Sequence, residues 1–147
     1  MNNSRLAATL VAATMGLAAI HAAAHEGTEK VTPALQQAIP NIPGKSLIAV
    51  VVDYPPGAAS RPHLHAKSAF IYAYVVSGAI ESQVNDGPKK VFHAGESFYE
   101  PPGALHAVSR NASGTEPAKL LAVFVVDTGD APLTTSAPPS ETKEKTQ

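Results

Sequence analysis

The chain has 147 residues, 44% hydrophobic and 16% charged, which suits one folded domain and leaves no room for a second core. Its formal charge of −1, with basic and acidic residues interspersed, argues against a nucleic-acid partner. The absence of cysteine excludes disulfides, thiolate ligands and a cysteine nucleophile, so packing alone must stabilise the fold.

In chain order, the first segment reads as an export signal over residues 1–24. Arg5 supplies a short positive start, Leu6 to Ile20 is an uncharged run rich in Ala and Leu, and Ala22-Ala23-Ala24 forms a small-x-small cleavage pattern. That apolar run is shorter than the roughly 20 residues needed to span a bilayer. The expectation is therefore a cleaved leader, a periplasmic or secreted mature protein beginning near His25, and no membrane contact after cleavage. An N-terminal His25 could chelate copper through its amine and imidazole, a minor alternative site.

Residues 25–43 are polar and interrupted by proline, and read as an arm with at best one helical turn around Ala34 to Ala38. From Leu47 the character changes. Leu47 to Tyr54, Ala69 to Val76, Ala79 to Val84, Lys90 to His93, Ser97 to Glu100, His106 to Arg110 and Lys119 to Asp127 read as short strands. Gly and Pro turns separate them, and Asn85-Asp86-Gly87 is a hairpin signal. Many short strands without helical periodicity predict an all-β barrel or sandwich over residues 44–127. The continuous apolar runs suggest strands covered on both faces. Residues 128–147 are rich in Thr, Ser, Pro, Lys and Glu and read as a disordered tail.

The chemistry lies in the histidines. His63 and His65 stand one residue apart, and on a strand such a pair points to one face. Two imidazoles so placed converge on one point, at a spacing suited to nitrogen–metal bonds of about 2.0–2.1 Å. An isolated His-x-His is also what two surface histidines look like, so the flanking residues decide. Gly57 lies six positions before His63 and Gly78 thirteen after His65. A second array runs Gly95, Pro101, Gly103, His106, Asn111.

The two segments GAASRPHLHAKSAFIYAYVVSG and GESFYEPPGALHAVSRN resemble the paired motifs of the cupin superfamily, and together they span Gly57 to Asn111. The resemblance implies a double-stranded β-helix, or jelly-roll barrel, with one divalent transition metal (Fe, Mn, Ni, Cu or Zn) held by His63, His65 and His106. Two departures stand out. One extra residue separates His106 from Asn111, and the glutamate ligand of the first motif is missing. Counting back from Gly78 places it at Ile71, which strand parity supports, and the nearby alternatives Ala69 and Phe70 are equally unable to bind metal. Three neutral rings would leave the +2 charge of the ion without a carboxylate, inviting anionic or oxygen-donor ligands.

Glu100, Glu81 and the neutral Gln83 are the candidates to replace that glutamate, and Glu100 is the single catalytic candidate. A solvated rim charge is its more ordinary role. Glu96 and His93 read as turn or surface residues. Tyr72, Tyr74, Phe98 and Tyr99 read as barrel packing, with Phe98 or Tyr99 able to reach a pocket mouth, and Ala69, Ile71 and Ala73 as an apolar wall beside the site. The functional expectation is a metal-binding cupin acting on a small molecule as an oxygenase or isomerase. The alternatives are a non-catalytic periplasmic binding protein for a small molecule or metal, and a metal-free interaction module. A homodimer is the candidate assembly, with Leu47 to Val52 as its edge strand.

Overall fold

The computed structural model describes residues 28–138; the expected leader and His25 lie outside them. Among the described residues every regular element is a strand, in the order β1 (Lys30–Ala38), β2 (Lys45–Tyr54), β3 (His63–His65), β4 (Phe70–Ser77), β5 (Ala79–Val84), β6 (Lys90–His93), β7 (Ser97–Glu100), β8 (Leu105–Asn111), β9 (Ala118–Asp127) and β10 (Thr134–Ser136). They form two five-stranded antiparallel sheets, β1-β2-β9-β4-β7 and β10-β3-β8-β5-β6.

Strand β9 is the spine of the first sheet, pairing along its length with β2 on one side and β4 on the other. Its side chains alternate strictly, with Ala118, Leu120, Ala122, Phe124 and Val126 buried and the intervening residues half-buried. The outer face is thus partly covered, not sealed as the continuous apolar run suggested. Two buried clusters fill the interior. One joins Val52, Tyr54, Ala73, Val75, Ile80 and Leu120, and the other joins Ala69, Ile71, Ala122, Phe124 and Val126. Each fully buried Ile or Val contributes roughly 1.5–3 kcal/mol.

Three expectations are corrected. The segment read as an arm with a helical turn is strand β1, paired with β2 from Lys30↔Asp53 to Ala38↔Ser46 and bulged between Pro33 and Leu35. All nine of its residues are exposed, so no in–out alternation marked it in the sequence. Pro33 is tolerated because β1 is the outermost strand and one of its sides needs no donors. It follows that Leu47 to Val52 is not a free edge: β1 covers it. The third correction concerns the tail. Its residues 134–136 form β10, which pairs with β3 through Thr134↔His65 and Ser136↔His63.

Gly78 joins β4 to β5 with φ +71°, and a Cβ there would lie 2.6 Å from the Pro117 carbonyl oxygen and 2.8 Å from Ala118. Gly95 also has a positive φ, 91°, but opens on empty space. Gly95→Ala should therefore cost only the backbone strain, about 1–2 kcal/mol. Gly78→Ala adds steric overlap with backbone and should cost about 2–5 kcal/mol. Urea unfolding of the two variants checks the difference; equal losses would mean that the contact with Pro117 relaxes freely.

Candidate metal centre

Strand β3 is only three residues long, yet it sets two of the three rings. His63 and His65 share a face by strand alternation, and His63 is the direct cross-strand partner of His106 on β8. Ring centroids lie 4.8 Å apart for His63 and His65, 5.3 Å for His63 and His106, and 6.0 Å for His65 and His106. One nitrogen from each ring falls within 4.8 Å of the other two. His65 and His106 are buried and His63 half-buried.

A bulge reconciles His106 with the rest of its strand. In the β5–β8 pairing, Gln83 faces Val108 but the next residue, Val84, faces His106, so Ala107 is the extra residue. His106, Ser109 and Asn111 are all buried, which unbroken alternation would forbid. The extra residue between His106 and Asn111 noted in the sequence is the residue that this bulge absorbs. Asn111 then clamps the loop, its Nδ2 donating to the Pro55 carbonyl at 3.1 Å and the Glu116 carbonyl at 2.7 Å.

The remaining ring nitrogens have partners that orient them. His63 Nδ1 lies 2.8 Å from the Arg61 carbonyl oxygen. A carbonyl only accepts, so Nδ1 carries the proton and Nε2 keeps the lone pair. His106 Nε2 lies 2.9 Å from the Ser82 hydroxyl, leaving Nδ1 on the side of the cluster. Neither His65 nitrogen has a hydrogen-bond partner, although both are buried.

Glu100 is the largest departure from expectation. It is not a rim charge: the residue is 2% exposed, with Oε2 2.8 Å from His65 Nε2 and 3.1 Å from His106 Nδ1. Despite these distances Oε2 makes no aligned hydrogen bond. Burial disfavours ionisation of the carboxyl, but His65, His106 and His63 together outweigh it and draw the value below normal. Burial likewise holds His63 low, and it pushes His106 down to about 4 against the pull of Glu100. Both rings are therefore neutral at pH 7, the form that binds metal.

This arrangement passes a physical test for a metal ion. Buried polar atoms are normally hydrogen-bonded, and an orphan costs about 1–3 kcal/mol. Here His65 Nδ1 and Nε2 and Glu100 Oε2 are orphans at one spot. Nitrogens on opposite sides of a metal stand about 4.2 Å apart, so small ring tilts bring the three within bonding range of one ion.

The centre forms the floor of a cavity of about 630 Å³. Its apolar wall comes from Val50, Val52, Leu120, Ala122 and Phe124, on β2 and β9. The expected wall residues Ala69, Ile71 and Ala73 do not reach the cavity surface; they are fully buried behind it, Ile71 in one cluster with Phe124 of the wall. Arg61 and Glu29 supply charge to the lining, and β10 contributes Thr134 to Ser136. A hydroxyl group of three residues also faces it: Tyr54 Oη lies 2.8 Å from both Ser60 Oγ and Ser109 Oγ, and burial raises the Tyr54 pKa. Nothing in the sequence marked these serines or Ser82, because their roles depend on strand pairing.

The other candidates lie elsewhere. Glu81 pairs with Arg110 at the surface and Gln83 donates to the Gly87 carbonyl in a turn. His93 and Glu96 form an exposed turn pair. Tyr99 is 64% exposed and stacks on Phe70 outside the barrel, whereas Phe98 packs against Phe92. Neither Phe98 nor Tyr99 lines the cavity mouth.

The family model for the cupin domain matches residues 50–124. The chain belongs to the cupin family. Among curated relatives, germin-like protein 9-3 of Oryza sativa subsp. japonica is 33% identical over 98 residues, 64% of this chain and 44% of that one. Germin-like protein subfamily 2 member 2 of Arabidopsis thaliana is 32% identical over 98 residues, 64% and 43% of the two chains. This cupin thus matches less than half the length of either. A Klebsiella pneumoniae protein with a double-stranded β-helix domain superposes with a TM-score of 0.60 at 21% identity, covering 76% of this chain and 86% of that one. An oxalate oxidase in complex with the substrate analogue glycolate gives a TM-score of 0.51 at 25% identity, covering 65% and 50%. No helix among the described residues is long and apolar enough to cross a membrane.

Two outcomes follow from the centre itself. Ser82→Ala leaves buried His106 Nε2 without a partner and should cost about 1–3 kcal/mol in thermal unfolding. The same change should weaken metal binding by about 10–100-fold, because an orienting hydrogen bond is lost. Unchanged affinity would show that the Ser82 contact does not set the ring. Acid should also destabilise the protein stripped of metal. The folded His106 value, about 4, lies below the ordinary 6.5, so the unfolded chain binds more protons between those pH values and stability rises with pH there. The melting temperature in chelator should be level above pH 6.5, then fall as pH drops toward 4. Glu100, also lowered, extends the loss below its ordinary 4.5.

Proposed function

We propose that this cupin holds one divalent transition metal (Fe, Mn, Ni, Cu or Zn) on His63, His65 and His106, and that the centre acts on a small oxygen-bearing molecule admitted by the cavity. The observation that carries this reading is the convergence of three imidazoles at the cavity beside buried polar atoms that lack hydrogen-bond partners. A bound metal would supply Lewis acidity or redox chemistry at its open positions. The chain's own residues do the rest. Arg61 and Ser82 hold two rings in their binding orientation, and the β2 and β9 side chains make the wall apolar.

Proton-transfer groups are scarce. Besides the histidines, the ionisable residues lining the cavity are Glu29, Tyr54, Arg61 and Glu100. Tyr54 is committed to Ser60 and Ser109, with its pKa raised by burial. The scarcity favours oxygenase-type chemistry centred on the metal over isomerisation by a side-chain acid and base. The likeness to an oxalate oxidase with bound glycolate supports a compact, carboxylate-bearing substrate. A cleaved leader over residues 1–24 would place the site in the periplasm or outside the cell.

A second reading, a non-catalytic receptor for a small anion or a metal, draws on the same scarcity. The two are separated by one set of measurements on the mature protein. Elemental analysis should find one transition metal per wild-type chain and essentially none in the His63→Ala/His106→Ala variant. Oxygen uptake with small hydroxy and keto acids should follow the metal content. Stoichiometric metal and ligand-induced thermal stabilisation without turnover would favour the receptor, and a metal-free wild type would end both.

A further inference from the structure

We propose that Glu100 is the fourth protein ligand of this centre, a carboxylate delivered from β7 to the place that the first cupin motif ordinarily fills from position 71. The proposal rests on the metal centre inferred above and adds to it the residue that the sequence lacked. Ile71 and Glu100 are direct partners across the antiparallel β4–β7 pair. Residues so paired project from the same face of the sheet, with Cβ atoms about 4.5–5.5 Å apart. A carboxylate on either strand therefore reaches the same region of the interior. Ile71 is buried in the cluster containing Phe124, and the Phe124 ring stands 5.7 Å from that of His65. The position lies beside the centre and has lost its ligand.

Glu100 has the attributes of the replacement. Its Oε2 approaches His65 Nε2 and His106 Nδ1 at 2.8 and 3.1 Å without the alignment of a hydrogen bond. Atoms aimed at a common ion need not be aimed at one another. The chain beyond it is stiffened by Pro101-Pro102 and closed by Ala104 N–H donating to the Pro101 carbonyl at 3.0 Å and Gly103 N–H to the Ala66 carbonyl at 3.2 Å. The side chain is thus anchored on a rigid strand end. Three neutral rings and one carboxylate reduce a divalent ion to a net +1. The centre then selects one monoanionic oxygen donor to complete its charge, where a three-histidine site would call for two.

The test moves the carboxylate back across the strand pair. The full chain is stripped of metal and titrated with Co²⁺, read by its visible ligand-field bands, for wild type, Glu100→Gln, His63→Ala and the exchange Ile71→Glu/Glu100→Ile. Far-UV circular dichroism and thermal unfolding check that each variant is folded. Glu100→Gln should weaken Co²⁺ at least tenfold and shift the bands, and the exchange should recover most of the affinity. Wild-type affinity and spectrum in Glu100→Gln would overturn Glu100 as a ligand. A folded exchange variant no tighter than Glu100→Gln would overturn the equivalence of the two positions. Either result leaves the histidine centre standing if His63→Ala still abolishes binding. A wild type that takes up no Co²⁺ would remove the histidine centre and Glu100 together.

Discussion

The structure is organised around a cost: four side chains that prefer water or hydrogen bonds are packed together inside an apolar barrel. Buried imidazole and carboxylate atoms without partners are expensive, and the rings of His65 and His106 face a carboxylate at contact distance. A fold tolerates this only where packing elsewhere is strong. Strand β9 provides that packing, pairing with β2 over all ten of its residues and with β4 from Lys119 to Val125, and burying five residues in alternation. Removing any one polar partner leaves the others stranded, which is why the contacts of Arg61 and Ser82 matter beyond their individual strength.

Backbone geometry, more than side-chain flexibility, brings the three histidines together. His63 and His65 share a face because strand side chains have a period of two, and His106 joins them as the cross-strand partner of His63. The bulge at Ala107 then changes the parity of β8, so that Ser109 and Asn111 also turn inward. One inserted residue thus serves two ends of the strand: the histidine cluster at His106 and the clamp at Asn111. Ser109, brought in by the same shift, completes the hydroxyl group with Tyr54 that lines the cavity.

Two of the four edge strands, β1 and β10, were the least legible part of the chain, whereas the edges β6 and β7 were read directly. Strand β1 is exposed throughout, and β10 is three polar residues within a segment of low-complexity character. Neither shows the alternation by which a strand is recognised, since an edge strand satisfies the open hydrogen bonds of its neighbour without burying its own side chains. Both nevertheless shape the site. β10 pairs with the strand bearing His63 and His65, and β1 covers the strand that supplies part of the cavity wall.

The sequence by itself determined the all-β class, the cupin motifs and the meeting of His63, His65 and His106, because strand periodicity and turn chemistry are local properties written at fixed spacings. It also exposed the loss of the motif glutamate at Ile71. Only the tertiary structure decided where a carboxylate re-enters. Glu100 lies 29 positions further along the chain, and its place opposite Ile71 is a matter of strand register, which no local pattern encodes. Its burial, and hence its change from a solvated rim charge to a member of the centre, follows from which strands the fold sets side by side.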